Sequence, residues 1–131
     1  MLRVFVCSPF SGSASEREQN VKTAVAVCQA LCAAGAAPFA PHLHYPAFLN
    51  DDDSDDRALA FGCGMAWLDA ADAMVVFTGL GITSGMEAEI SHAIRVGKPI
   101  AFLERLGSAL RFKRFSGKEL LDLEEAWARR K

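Results

Sequence analysis

The chain contains 131 residues, of which 51% are hydrophobic, and its formal net charge at pH 7 is −2. Domains usually contain about 100 to 200 residues, so this length predicts one domain, and the apolar content is sufficient for a core. The near-neutral charge argues against a protein that binds nucleic-acid polymers or anionic membranes. Basic residues are concentrated after residue 104. This segment is either a solvated terminal helix or a region that contacts an anion.

The first apolar run, at 2–7, ends at Ser8 and Pro9. It is too short for a signal-peptide core or a membrane span, and we therefore expect a cytoplasmic protein with no membrane partner. The cysteines include no Cys-x-x-Cys pair, and an intracellular protein has no oxidant for a disulfide framework. We expect all four to be buried as small apolar residues: Cys7, Cys28, Cys32 and Cys63.

Strand and helix patterns alternate along the chain. An apolar strand at 2–7 is followed by a helix that begins at a capping box of Ser13 and Glu16 and ends at Gly35. The later predicted elements are a strand at 36–40, a helix at 55–70, a strand at 73–78, a helix at 84–97, a strand at 98–103, a loop or edge strand at 107–115 and an amphipathic helix at 118–130. In the helix at 55–70 we expect four side chains to face inward: Leu59, Cys63, Ala66 and Trp67.

This order predicts an α/β fold of three layers, flavodoxin-like or Rossmann-like, with a parallel sheet of four to five strands and helices on both faces. Residues 1–131 then form a single domain, with a core at about 2–104 and a C-terminal extension at 105–131. In the strand order 2-1-3-4, the order reverses between the first and third strands, and ligands bind beyond the carboxyl ends of strands at such a reversal. The loops at 8–13 and 79–85 are therefore predicted to form a polar pocket at two helix amino-termini.

The sequence GLGITSG at 79–85 has several interpretations. The chain has no P-loop for a nucleoside triphosphate, because that motif ends in Gly-Lys followed by Ser or Thr. Neither Lys98 nor Lys118 is followed by Ser or Thr. The glycines of GLGITSG are close to a dinucleotide fingerprint, with Glu104 where a ribose-binding acid belongs, but the spacing differs by one residue. Glycines that only close a tight turn and cap a helix are the plainer alternative.

The positions of two glutamates on the following helix indicate different roles for them. Glu87 lies three residues after Ser84, which is the spacing of a capping box, so we interpret it as structural. Glu89 lies one turn after Gly85 and beside the face that Met86 defines, so its carboxylate is directed toward the pocket mouth. A carboxylate in that position can act as a nucleophile toward a sugar carbon, the alternative being an exposed helix glutamate.

Two other segments suggest metal ligands. The acidic run at 51–56 does not fit a calcium loop, which needs Gly at its sixth position and Glu at its twelfth. We therefore interpret it as a solvated loop that places negative charge at the start of a helix. His42 and His44 would bind a metal only if Cys63 or aspartates joined them. Beside them, Tyr45 and Phe48 are candidates for an apolar wall against which a ligand ring stacks.

Three segments carry a family resemblance: VFVCSPFSG, HYPAFLNDDDSDDRALAFG and DAMVVFTGLGITSGMEAEISHAIRVGKPIAFLE. They resemble the nucleoside 2-deoxyribosyltransferase-like superfamily, especially its small bacterial and phage members and the related deoxynucleoside 5′-monophosphate N-glycosidases. The resemblance covers roughly residues 3–104, and its most specific part is the block Gly85-x-x-x-Glu89-Ile90.

The resemblance implies an enzyme that cleaves an N-glycosidic bond or exchanges its base, with Glu89 as the nucleophile and without a cofactor or metal. The block's neighbour Thr83 occupies the position where nucleoside transferases carry an aspartate and monophosphate hydrolases a serine, which favours a nucleotide ligand. The expected ligand-binding residues are Ser8, Phe10, Ser11, Gly12, Tyr45, Thr83, Ser84, Gly85 and Met86.

One departure from the family pattern weakens the expectation of catalysis. The family places an aspartate that assists base departure about two turns before the third strand, where this chain has Gly64, and neither Asp56 nor Asp69 matches that position. Loss of a proton donor typically lowers a rate by roughly 10² to 10⁴-fold, so a non-catalytic nucleotide-binding module remains the alternative.

The resemblance also implies a homodimer or larger homo-oligomer in which neighbouring subunits complete each pocket. Three basic residues are candidates for a phosphate contact across that interface: Arg111, Lys113 and Arg114.

Overall fold

The structure, a computed structural model, describes residues 1–130. Strands and helices alternate as the sequence predicts. The strands are β1 (Arg3–Cys7), β2 (Ala37–Phe39), β3 (Ala73–Phe77), β4 (Ile100–Leu103) and β5 (Phe112–Lys113). The helices are α1 (Ala14–Ala33), α2 (Ser54–Ala70), α3 (Ser84–Arg95) and α4 (Lys118–Arg129), and two short 3₁₀ turns at Pro41–Leu43 and Tyr45–Ala47 lie between β2 and α2.

The five strands form one sheet in the order β2-β1-β3-β4-β5, with β5 antiparallel to β4 and the other pairs parallel. The predicted α/β fold and the reversal between the first and third strands are therefore confirmed. The register pairs Val4 with Ala73 and Met74 with Ile100, which brings the carboxyl ends of β1, β3 and β4 to the same edge of the sheet.

Apolar side chains cover both faces of the sheet, because every residue of β3 and four of five in β1 are buried. On one face, Val4, Val6 and Val75 pack against Leu31 of α1 and Trp127 of α4. On the other face, the core cluster contains Phe5, Cys7, Met74, Leu68 and Met86, so it joins the sheet to α2 and α3. The basic C-terminal extension is thus part of one helical layer, and its Trp127 donates a hydrogen bond to the Ser108 carbonyl at 3.1 Å.

The helix starts are fixed by side-chain caps. The predicted capping box of α1 is present, since Glu16 N donates to Ser13 Oγ at 3.2 Å and the Glu16 carboxylate accepts from Ser13 N at 3.0 Å. The predicted box of Ser84 and Glu87 is wrong. Thr83 is the N-cap of α3, and its Oγ1 accepts from Met86 N at 3.2 Å, so Ser84 is already helical and Glu87 lies one residue too late for the box.

The inward face predicted for α2 is also wrong. Gly64 and Leu68 are the buried residues of this helix, whereas Leu59 is 57% exposed and Trp67 is 51% exposed. Two adjacent stripes of α2 are apolar, and periodicity alone does not determine which one meets the sheet. Trp67 instead covers edge strand β2, with its ring stacked on Phe39 at a centroid distance of 5.0 Å.

The cysteine prediction holds fully only for Cys7, which is completely buried. Cys63 on α2 is partly buried. On α1, Cys28 is partly buried and Cys32 is exposed, because this helix faces the sheet through Ala24, Val27 and Leu31. All four thiols are free. None of the helices within residues 1–130 is long and apolar enough to span a membrane.

Candidate active site

A cavity of about 670 Å³ lies beyond the carboxyl ends of β1 and β3, at the predicted reversal of strand order. Four segments line it: the loop after β1, the 3₁₀ turns after β2, the amino-terminal half of α2 and the first turns of α3. The cavity brings together these predicted site residues: Phe10, Ser11, Tyr45, Thr83, Ser84, Gly85, Met86 and Glu89.

Two predicted ligand-binding residues, Ser8 and Gly12, do not line this cavity. Ser8 is only 1% exposed, because it continues the buried end of β1, and its Oγ has no hydrogen-bond partner within residues 1–130. Gly12 has a φ of +147°, and a Cβ there would approach the Glu16 side chain at 3.0 Å. Gly12 therefore lets the chain pass the start of α1, which is a structural role.

Glu89 is the buried carboxylate of the site. It lies on the face of α3 that carries Met86 and Ala93 toward the sheet, and it is only 6% exposed although it lines the cavity. Burial raises the pKa of Glu89 from 4.5 to about 7, while a hydrogen bond with Cys7 opposes the shift. The Cys7 thiol stays protonated, because burial and the nearby Glu89 charge both raise its pKa. An exposed helix glutamate, the alternative from the sequence, is therefore wrong.

The amino-terminus of α3 forms the polar end of the cavity. Thr83 Oγ1 accepts from Met86 N, and the amides of Ser84 and Gly85 lie in the first turn, where no preceding helical carbonyl is available to them. Gly85 carries no side chain, and a Cβ there would meet only Thr83 Oγ1 at 3.9 Å, so the backbone is open to approach. Free amides and the helix dipole together favour an anion at this position.

An ionic cluster at the cavity mouth was not predicted from the sequence. Ser11 Oγ donates to Asp51 at 2.8 Å, and the Arg57 guanidinium donates to the Asp51 carbonyl at 3.0 and 2.8 Å. Arg17 pairs with Asp52 at 2.6 Å. The acidic run does charge the start of α2, since Asp53 is its N-cap, but Asp51, Asp56 and Arg57 line the cavity and were not predicted to do so. No local pattern signals contacts between residues 40 or 35 positions apart.

The two histidine side chains lie in different surroundings, so the hypothesis that they bind one metal ion is not supported. His42 lines the cavity and stacks on Phe10 at a centroid distance of 5.1 Å, with the rings 14° from parallel. His44 packs instead against Tyr45 and Phe48, with centroids at 4.8 and 5.2 Å. No cluster of three or more metal-ligating side chains is present in the described chain, residues 1–130. Tyr45 forms part of the cavity wall as predicted, whereas Phe48 is 62% exposed and lies outside it.

Burial lowers the pKa of His42, although Asp51 and the backbone of Ser8 favour its protonated form. The imidazole is therefore neutral at pH 7. A neutral imidazole has one ring nitrogen that accepts a proton.

Gly79 and Gly81, in the turn at 79–85, have structural explanations. A Cβ at Gly79 would collide with the Glu104 backbone, and Gly81 has a φ of +87°. Glu104 itself is exposed and does not line the cavity, which removes the acid that a dinucleotide site would require. Gly79 and Gly81 therefore fit the plainer interpretation of glycines that close a tight turn.

The basic residues proposed for an intersubunit contact lie away from this cavity. Lys113 pairs with Ile100, the first residue of β4, and Arg114 Nη1 donates to the Ile94 carbonyl at 3.4 Å near the end of α3. This is the amino edge of the sheet, opposite the cavity. A contact of Arg111, Lys113 or Arg114 with phosphate would therefore require the pocket of another subunit, and it stays a prediction.

Comparisons with known proteins agree with the fold. A family model described as Domain of unknown function (DUF7768) matches residues 2–103. A search of curated proteins finds no significant match.

Several solved structures are similar to this one, among them the following two. The first is a 2-deoxyribosyltransferase from Bacillus psychrosaccharolyticus, with a TM-score of 0.62 and 19% identity, covering 76% of this chain and 70% of that protein. The second is the CMP N-glycosidase BcmB from Clostridium botulinum, with a TM-score of 0.50 and 21% identity, covering 76% of this chain and 69% of that protein. The predicted resemblance is thus confirmed at the level of the fold. The chain belongs to the family described as Domain of unknown function (DUF7768), and it folds like these two proteins.

Proposed function

We propose that this protein is an enzyme that cleaves or transfers the N-glycosidic bond of a nucleoside or nucleoside 5′-monophosphate, with Glu89 as its nucleophile. The observation that carries the proposal is a glutamate only 6% exposed that lines the cavity wall beside the amino-terminus of α3. The names of the two similar structures, a 2-deoxyribosyltransferase and a CMP N-glycosidase, support the same class of reaction.

In the proposed first step, a Glu89 carboxylate oxygen attacks the anomeric carbon of the sugar. The bond from that carbon to the base nitrogen breaks, its electron pair leaves with the base, and a glycosyl ester forms on Glu89. A buried carboxylate suits this step, since its charge acts through a low dielectric on the positive charge that develops on the sugar. Water or a second base then attacks the same carbon and releases Glu89.

We assign the phosphate of a nucleotide substrate to the start of α3. The amides of Ser84 and Gly85 and the hydroxyls of Thr83 and Ser84 supply donors there, and the helix dipole favours an anion. The base would then lie toward Phe10 and Tyr45, whose side chains contribute aromatic surface to the cavity. A cavity of about 670 Å³ falls in the usual range for small-molecule sites.

The direct test incubates the protein with deoxynucleosides, ribonucleosides and their 5′-monophosphates and measures free base by liquid chromatography. A second series adds an acceptor base and measures the exchanged nucleoside. We expect base release or exchange with at least one substrate. Absence of both from the whole panel would contradict the proposed activity.

Replacing Thr83 by aspartate tests the phosphate assignment. We expect the KM for a monophosphate to rise at least roughly tenfold while the KM for the free nucleoside changes little, because a carboxylate repels a phosphate at short range. Aspartate is as good an N-cap as threonine, so α3 should keep its start. Thr83→Ser is the matched control that retains the hydroxyl, and equal changes in both KM values for Thr83→Asp would contradict the assignment.

One observation favours a second candidate function, a nucleotide-binding module without turnover. The family aspartate is replaced by Gly64, whose position is buried near Pro41 and carries no ionisable group. For such a module, a monophosphate raises the melting temperature of the protein, yet no base appears over prolonged incubation. Thermal shift and base release measured on the same ligands therefore separate the two functions.

We also propose a homo-oligomer, and the exposed apolar surface of α2 supports it. Leu59 and Trp67 are more than half exposed and lie about two turns apart on this helix. Exposed apolar patches of this kind often mark protein interfaces. We expect Trp67→Glu to shift sedimentation toward the monomer, whereas Leu121→Glu on α4 should not. A monomeric wild-type protein would refute the proposal.

A further inference from the structure

The cavity contains one ionisable side chain whose function the structure does not otherwise account for. Among the other ionisable groups that line it, Asp51 accepts from Ser11, Asp56 accepts from the backbone of Asn50 at 2.8 Å, and Arg57 is bound to the Asp51 carbonyl. Glu89 is the proposed nucleophile, and Tyr45 belongs to the aromatic wall toward which the base would lie. His42 remains, and its ring is held against Phe10 rather than in an ionic pair.

His42 lies close to the position where this chain has Gly64 instead of the family aspartate. A Cβ at Gly64 would meet the Pro41 side chain at 3.9 Å, and Pro41 directly precedes His42. Pro41 and His42 both line the cavity. Gly64 does not itself line the cavity, but it adjoins the segment that brings an imidazole there.

We propose, on the basis of the function proposed above, that His42 is the general base that activates the attacking water in the second half of the reaction. A water oxygen bonds to the anomeric carbon, and the ester bond to Glu89 breaks with its electron pair returning to the carboxylate. The proton of that water passes to the free ring nitrogen of His42 and then to solvent. The base released in the first half takes its proton from solvent, so protons balance over the cycle.

The surroundings of His42 favour a base over an acid. Burial holds its pKa below the usual 6.5, so the resting imidazole is neutral at pH 7. The charge of Asp51 acts in the opposite direction. Arg17 lies over the Phe10 ring on which His42 stacks, with its guanidinium 5.6 Å from the ring centre. Arg57, Asp56 and Glu89 line the same cavity.

The test compares the first turnover with the steady state in His42→Phe, which keeps a ring for stacking on Phe10 but removes both nitrogens. We expect a burst of about one free base per site, followed by a steady rate lower by roughly 10² to 10⁴-fold than that of the wild type. Intact-mass spectrometry should detect the glycosyl adduct that accumulates. Added imidazole should restore part of the steady rate in His42→Ala.

His44→Phe is the matched control, because it makes the same change two residues away at a side chain that does not line the cavity. A His42→Phe variant with the wild-type steady rate, or one that loses burst and steady rate together, would overturn the role of His42 while the proposed function stands. If the wild type releases no base from any substrate, the proposed function fails and the role of His42 fails with it.

Discussion

Glu89→Gln is expected to lower base release by at least about 10³-fold with every substrate that the wild type accepts. Glutamine has nearly the same shape, but its amide is not nucleophilic and cannot form the ester with the sugar. The rates are measured by liquid chromatography of free base under single-turnover conditions. No covalent adduct should appear in the intact mass of this variant.

Glu87→Gln is the matched control for this experiment. It makes the same change on the same helix two residues earlier, at an exposed position that does not line the cavity. Its rate should equal that of the wild type within about twofold. If Glu89→Gln releases base nearly as fast as the wild type, Glu89 is not the nucleophile.

The same carboxylate should determine the pH dependence of the wild-type reaction. Only the ionised form attacks, and burial raises the pKa of Glu89 to about 7. The first-turnover rate should therefore rise with pH through about 7 and level off above it. A glutamate with an ordinary pKa would instead give a flat profile between pH 6 and 8.

The second large effect concerns stability, which we expect Glu89→Gln to increase at pH 8 but not at pH 4. The pKa of Glu89 is higher in the folded protein than in the unfolded chain, so the unfolded chain releases this proton first as the pH rises. The contribution of Glu89 to stability is therefore fully present below pH 4.5 and is lost as the pH rises to about 7. The loss is on the order of 3 kcal/mol, since each pKa unit corresponds to about 1.4 kcal/mol.

Urea unfolding of the wild type and of Glu89→Gln at pH 4, 6 and 8 provides the measurement. The difference in unfolding free energy between them should grow across this range in favour of the variant. Glu87→Gln, whose carboxylate is exposed, should show no such trend. A difference independent of pH would mean that Glu89 ionises in the folded protein as it does in the unfolded chain.

Opposite effects of one substitution on activity and stability are typical of a functional site. A carboxylate that is 6% exposed destabilises the fold when it is ionised, so its retention is expected where its chemistry is used. If both results hold, the charge on Glu89 costs stability above pH 7 and supplies the nucleophile in the same pH range.

The sequence by itself determined the layered α/β fold of this protein and the place of its cavity. The apolar run of β3 and the three- and four-residue spacing in α1 and α3 are local signals, and right-handed crossovers leave few ways to arrange them. The strand order and the glycine turn before α3 then placed Glu89 at the carboxyl edge of the sheet. These features depend on short segments of chain, which is why the sequence was sufficient.

Only the tertiary structure decided which side chains complete the cavity. His42, Asp51 and Arg57 reach it through packing and hydrogen bonds between distant segments, and no periodicity predicts such pairs. The same holds for α2, where two apolar stripes compete and the stripe that carries Gly64 and Leu68 is the one buried against the core. The position of the α3 N-cap at Thr83 rather than Ser84 was likewise fixed by backbone geometry. Local patterns set the spacing of side chains, whereas burial and long-range contacts set their partners and their pKa values.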